Sequence, residues 1–163
     1  MLRTAEMNHS NIVIGIDPGA SGGMAVFYPD GKAFAVGYKK EKTYAHQLKE
    51  IAEQARIENW RISAYVELLT GFQGFGKYQL TGKQGFAMGT SYGKIGGALE
   101  ALEIPHWYVS SMKWEKTIPG SGKERLYIVA RERFPQLKPT KQTCDAILIA
   151  EWGMNYGSKT VSD

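Results

Sequence analysis

A single cysteine, Cys144, stands among 163 residues. No disulfide can close within the chain, no cysteine-rich zinc site can form, and a reducing, cytoplasmic compartment is the expected setting. Apolar runs long enough to span a bilayer are also missing. Met1 to Ser10 has neither the apolar core of a signal peptide nor the arginine richness of a transit peptide, and reads as a short flexible arm. It would precede one domain over residues 11–156, with a tail at 157–163. The most telling shortage is of negative charge: from Leu68 to Leu99 there is not one Asp or Glu.

The residues that are present describe a globular chain. A hydrophobic content of 43% with 12% aromatics suffices for one sizeable core. The formal charge of +4 and a pI near 9.1 favour a polyanionic partner such as nucleic acid, although where the charge sits matters more than its sum. Neither a membrane nor a small-molecule substrate is expected.

Alternation and turn residues predict strands at Asn11 to Asp17, Gly22 to Tyr28 and Lys32 to Tyr38. The turn Pro29-Asp30-Gly31 joins the last two, and the three make an antiparallel meander. Thr43 can cap a helix to about Asn59, with Leu48, Ile51, Ala52, Ala55 and Ile57 as its apolar stripe. Ile62 to Leu69 is a fourth strand, and the helix before it implies a right-handed crossover and parallel pairing. Beyond an irregular, glycine-rich stretch from Thr70 to Lys83, a long helix is expected from Gln84 to about Glu103. A short strand at His106 to Val109, a brief helix from Ser111 to Thr117, a loop to Gly122, a helix to about Arg133 and a last helix from about Lys141 to Gly153 follow. The fold class is α/β, a mixed sheet with helices on both faces.

Three acids stand where these elements end. Asp17 closes the apolar run Ile12-Val13-Ile14-Gly15-Ile16 and meets the tight turn Pro18-Gly19, so it faces a cleft. A desolvated carboxylate there needs a cation or a metal, the plainer alternative being a turn-capping Asp. Glu67 follows Ala64-Tyr65-Val66 in the same manner, so the two acids share one end of two parallel strands if those strands are adjacent. Glu67 could otherwise serve an ordinary salt bridge. Asp145 opens the run Ala146-Ile147-Leu148-Ile149-Ala150, either as a helix-start acid favoured by the macrodipole or as a third ligand. Together the three could hold Mg²⁺ or Mn²⁺ through oxygen, and a two-ion site would activate water and stabilise a leaving oxygen in phosphodiester hydrolysis.

The acid-free stretch has the composition of a nucleic-acid surface. Lys77, Lys83 and Lys94 are interleaved with Phe72, Phe75, Tyr78, Phe86 and Tyr92. The lysines would neutralise phosphates and an exposed Phe could stack on or wedge between bases. Gly71, Gly74 and Gly76 leave Phe72 and Phe75 no regular element from which to pack inward. Gly85, Gly89, Gly93 and Gly97 recur every four residues, a bare helical stripe to be packed against either the chain's own sheet or a second subunit.

These pieces in order, Ile14-Gly15-Ile16-Asp17-Pro18-Gly19 with Gly22-Gly23, Val66-Glu67, Tyr92-Gly93 with Gly97-Ala98-Leu99, Lys123 with Arg133-Phe134-Pro135, and Cys144-Asp145-Ala146-Ile147-Leu148-Ile149-Ala150, span Asn11 to Gly153. The chain resembles the RuvC-type Holliday-junction resolvases of the RNase H-like nucleases, most of all the short bacteriophage and bacterial versions. The resemblance implies a five-stranded RNase H-like sheet and a divalent-metal-dependent endonuclease. Such an enzyme makes paired nicks in four-way DNA junctions as a homodimer, in a bacterial or phage-infected cell. Asp17, Glu67 and Asp145 match three of the family's four metal-binding acids. At the fourth position stand Lys141 and Gln142, so the Gln142 amide oxygen is the candidate ligand there. Glu124 is a further candidate, whereas Glu151, six residues beyond Asp145, sits on the wrong helix face. Lys123 matches a family lysine that would neutralise phosphate charge, and the family's junction-centre aromatic points to the loop of Phe72 and Phe75. The departure at the fourth position also admits a branched-DNA-binding protein without catalysis, and a nuclease for RNA or forks is a further alternative. The actin and sugar-kinase ATPases share the Gly-Ile-Asp-x-Gly start but need a far longer chain.

Overall fold

The computed structural model describes residues 10–19, 21–39, 44–69 and 81–157. Thr43 and the segment carrying Phe72, Phe75, Lys77 and Tyr78 lie outside them. β1 (Asn11–Ile16), β2 (Gly23–Phe27) and β3 (Ala33–Gly37) form the antiparallel meander. Gly31, at φ +86°, turns the chain between the last two. α1 (Tyr44–Ile57) crosses to β4 (Arg61–Glu67), which pairs parallel with β1 and sets Ile16 opposite Val66. α2 (Gly82–Ala101) returns to β5 (His106–Val109), parallel to β4. α3 (Ser111–Glu115), α4 (Glu124–Arg133) and α5 (Cys144–Tyr156) complete the order. The sheet runs β3-β2-β1-β4-β5, which makes β1 the central strand and confirms the five-stranded mixed α/β sheet.

The period-two pattern of β1 divides the interior in two. Ile12, Ile14 and Ile16 point into one apolar layer with Leu48, Ile51 and Ala55 of α1 and Ile95 and Leu99 of α2. Val13 points into the other, with Trp114 of α3, Leu126 and Val129 of α4 and Ile147 and Leu148 of α5. Each such isoleucine or leucine, withdrawn wholly from water, contributes roughly 1.5–3 kcal/mol before entropy is counted. Gly15, on the second face, has no side chain because none fits: a Cβ there would strike the Ala146 carbonyl and Ala150 of α5. Gly153 and Gly157, further along α5, likewise make room for the Tyr65 ring. The small residues Ala146, Ala150, Gly153 and Gly157, spaced 4, 3 and 4 apart, are thus the track by which α5 lies against the sheet.

Several boundaries differ from expectation for local reasons. α2 begins at Gly82, inside the stretch read as irregular. The cause is a capping box: the Gln84 N–H donates to Thr81 Oγ1 at 3.3 Å, and the Thr81 N–H donates to Gln84 Oε1 at 2.9 Å. α1 ends at Ile57 because Asn59 turns left-handed at φ +54°. Ile57 does not join the buried stripe and is 82% exposed, whereas Tyr44 does join it. α5 starts at Cys144 rather than Lys141, since the Thr140 and Thr143 hydroxyls hold residues 140–143 in a turn, with Thr140 N–H donating to Thr143 Oγ1 at 3.0 Å. It continues past Gly153 to Tyr156 because that glycine is a packing site and not a stop. A short 3-10 turn at Pro135–Leu137 was not anticipated.

The glycine stripe of α2 does not pack on the chain's own sheet. A Cβ on Gly85, Gly89, Gly93 or Gly97 would meet nothing within 4 Å. Residues Gly82 to Ala87 are all exposed, and full burial along α2 begins only at Ile95. The two kinds of glycine should therefore respond oppositely in urea unfolding. Gly15→Ala is expected to lose about 3 kcal/mol through overpacking, whereas Gly93→Ala should gain about 1 kcal/mol in the isolated chain through helix propensity.

Candidate metal centre

The parallel register of β1 and β4 brings Asp17 and Glu67 out at the same end of neighbouring strands. The close seat of α5 on Gly15 places Asp145, in the first turn of α5, beside them. Asp17, Glu67 and Asp145 each present an oxygen, and these atoms lie within 4.8 Å of one another. No other group of three or more His, Cys, Asp or Glu side chains meets this spacing among the described residues. Three hard, anionic oxygens so close are a donor set for a divalent cation of the Mg²⁺ or Mn²⁺ kind.

Each carboxylate is oriented by its own neighbours. The Gly19 N–H donates to Asp17 Oδ1 at 3.2 Å, and Gly22 has no room for a Cβ because the Asp17 backbone and carboxylate fill that space. The Ser91 hydroxyl of α2 donates to the Pro18 carbonyl at 3.0 Å, tying that helix to the Asp17 turn. The Cys144 thiol donates to Asp145 Oδ1 at 3.2 Å. Burial first, and then the Asp145 charge, push this thiol up to about 12, so it serves as a donor and not as a nucleophile.

Electrostatics show what the trio lacks without a cation. Burial raises the pKa of all three acids above the ordinary carboxylate range. For Glu67 the rise reaches about 7, from burial first and then from the Asp17, Asp145 and Glu115 charges. Asp145 raises Asp17, and the Gly19 N–H opposes that rise. Lys123, exposed at the start of α4, is the cation whose charge lowers all three. The expected link between Lys123 and the acids therefore exists as a field, with no direct ion pair to them among the described residues.

The other predicted positions are directed elsewhere. The Gln142 amide nitrogen donates to the Tyr38 carbonyl at 3.4 Å, and its amide oxygen lies in the space left by Gly37. Lys141 pairs with Glu124 at 3.2 Å, and Glu151 pairs with Arg133 at 2.7 Å, so neither acid joins the trio. Lys83, Phe86 and Lys94 are exposed on α2, with Phe86 at 78%, and their 3 and 8 residue spacing puts them on one helix face. Sequence reasoning missed the pair of Arg125 and Glu115 at 2.8 Å. Glu115 raises Glu67 and Asp145, and Arg125 lowers Asp145. Its members belong to two short helices with no motif between them, so no sequence signal announced it.

Neither a protein-family model nor any curated protein matches the sequence. Among solved structures, RuvC from Thermus thermophilus superposes with a TM-score of 0.57 at 20% identity, over 91% of this chain and 96% of that one. The fold is that of RuvC. T. thermophilus RuvC in complex with a Holliday junction substrate superposes almost as well, with a TM-score of 0.56 at 18% identity, covering 91% of this chain and 95% of that one. No helix among the described residues is long and apolar enough to cross a membrane.

The raised pKa of Glu67 sets a pH dependence. A group held protonated by the fold supports stability below its unfolded value of 4.5, and that support is lost as pH rises through about 7. Thermal unfolding without metal should therefore show Tm falling between these values. Added Mn²⁺ should raise Tm most above pH 7, where Glu67 is ionised, and Glu67→Gln should flatten both effects.

Proposed function

We propose that this chain is a divalent-metal-dependent endonuclease that cuts branched DNA, with four-way junctions as substrate and paired nicks as outcome. The observation that carries the reading is the convergence of Asp17, Glu67 and Asp145 at one end of a RuvC-like sheet. A relative in fold has been captured with a Holliday junction substrate, which supports the substrate class.

Asp17, held by the Gly19 N–H, stands directly after the central strand, and we assign it as the central ligand of the set. Glu67 and Asp145 complete the oxygen set, and the Cys144 thiol keeps Asp145 turned toward it. Divalent cations held there would supply Lewis-acid activation of water and neutralise charge on the leaving oxygen. Lys123, already coupled to the trio, would meet the added negative charge of the substrate phosphate. Lys83, Phe86 and Lys94 on the exposed face of α2, with Phe72, Phe75, Lys77 and Tyr78 before them in sequence, form the DNA surface of this reading. The open glycine stripe is the face through which we expect a second copy to pack, matching the approximate two-fold symmetry of a four-way junction.

One observation favours a second reading, a branched-DNA-binding protein without cleavage. Gln142 and Lys141, at the fourth-ligand position, are engaged by Tyr38 and Glu124. An immobile junction and a matched linear duplex, each with Mg²⁺, Mn²⁺ or EDTA, separate the two. The nuclease reading expects paired, metal-dependent nicks confined to the junction, falling at least about 10²-fold in Asp17→Asn while binding persists. Tight junction binding with no nicks in either metal would establish the binding protein instead. For Lys123→Ala, the expectation is slower cleavage with little change in Tm, since the side chain is exposed.

A further inference from the structure

The Glu115–Arg125 pair also walls a cavity of about 370 Å³ between α3 and α4, lined further by Ser111, Met112, Lys116 and Ile118. Its place is fixed by the fold: α3 starts two residues after Val109, which is the register partner of Glu67. That register sets the start of α3 near the trio, and the charges of Glu115 on Glu67 and Asp145 and of Arg125 on Asp145 accord with it.

The lining is built for a ligand of mixed character. Arg125 is fixed by donating to the Gly122 carbonyl at 2.7 Å and to Glu115 Oε2 at 2.8 Å. Its Nε–H is withdrawn from solvent with no partner in the protein, so the guanidinium is held in the wall and not extended toward the cavity. Lys116 is exposed at the rim and makes no ion pair with a described residue. Met112 stands 73% exposed at the same cavity, while Trp114 two residues on is fully buried. A large, flexible apolar side chain held out over a cavity that also offers the Lys116 ammonium and the Ser111 hydroxyl suits a planar, polar-edged aromatic joined to an anion. Gly120, at φ +87°, turns the loop between α3 and α4 where it lines the cavity.

We propose that this cavity seats a nucleotide of the DNA strand adjoining the phosphodiester at the trio, its base against Met112 and Ile118 and its phosphate at Lys116. The inference rests on the branched-DNA reading above and adds to it a subsite on the opposite side of the trio from α2. It would make α3 a determinant of which nucleotides flank the cut.

The test uses the full chain bound to a four-way junction in Ca²⁺, with 5-iodouracil placed in turn at each position flanking the crossover. Irradiation followed by peptide mapping should give, at one or two adjacent positions, a crosslink within residues 111–125. Met112→Ala should reduce that crosslink several-fold, and Lys116→Ala should lower the slope of log affinity against log salt by about 0.9, one phosphate contact. Both side chains are exposed, so an unchanged Tm separates these effects from misfolding. Junction binding with crosslinks that map exclusively outside residues 111–125 overturns the subsite and leaves the branched-DNA reading standing. If the wild-type chain does not bind the junction in preference to duplex, both fall together.

Discussion

Because Gly15 presents no side chain, α5 lies directly on the backbone of the central strand, and the position of Asp145 relative to Asp17 follows from that contact. The same approach is continued by Gly153 and Gly157 against Tyr65 of β4, so α5 is registered on two strands at once. β1 and β4 in turn carry the other two acids at their matched ends. Three residues distant in sequence thus meet because one helix is allowed to approach a sheet more closely than side chains ordinarily permit. The packing and the chemistry have a common origin in the smallest residues of the chain.

The cluster so produced is electrostatically unfavourable as it stands. Burial raises all three carboxyls, the charge of a neighbouring acid adds to each, and only Lys123, Arg125 and a few N–H and S–H donors oppose the effect. A fold that invests its central strand in such a cluster sacrifices local stability for function, since apolar residues of similar volume would avoid the repulsion. The surrounding layers compensate: Ile12, Ile14, Ile16, Val66 and the run from Ala146 to Ala150 are almost wholly withdrawn from water. The frustrated ends of β1 and β4 are held in place by the best-packed parts of the molecule.

Much of this was legible in the amino-acid order because strand burial has a period of two and acids at strand ends interrupt it sharply. Asp17 and Glu67 each follow an apolar run, so their shared position needed only that the two strands be neighbours. The features that escaped depend on side-chain hydrogen bonds or on direction. Thr81 and Gln84 carry a capping box, yet the glycines around them read as loop. The Thr140 and Thr143 hydroxyls delay α5 by three residues. The glycine stripe of α2 was visible as a spacing, but glycine has no side chain to declare whether its face is inward or outward. Gln142 was a candidate ligand by position, and only the hydrogen bond to Tyr38 shows where its amide is spent. The Glu115–Arg125 pair joins elements whose relative placement no local pattern encodes.

The N-terminal half of α2 has a further consequence for how the molecule moves. Gly85 and Gly89, exposed in this half of the helix, weaken it by about 1 kcal/mol each relative to alanine, and no buried layer supports Gly82 to Ala87. The capping box and the Ser91 bond to Pro18 are the polar ties that restrain this half of the helix among the described residues. Such a segment sits at the low end of the local unfolding free-energy scale, so its first turns exchange amide protons long before the sheet does. Order in those turns is then set by what lies against them, and because Ser91 is bonded to the Asp17 turn, settling the helix also settles the loop behind the first acid. Rigidity at the centre of the molecule is in this way partly borrowed from whatever occupies its edge.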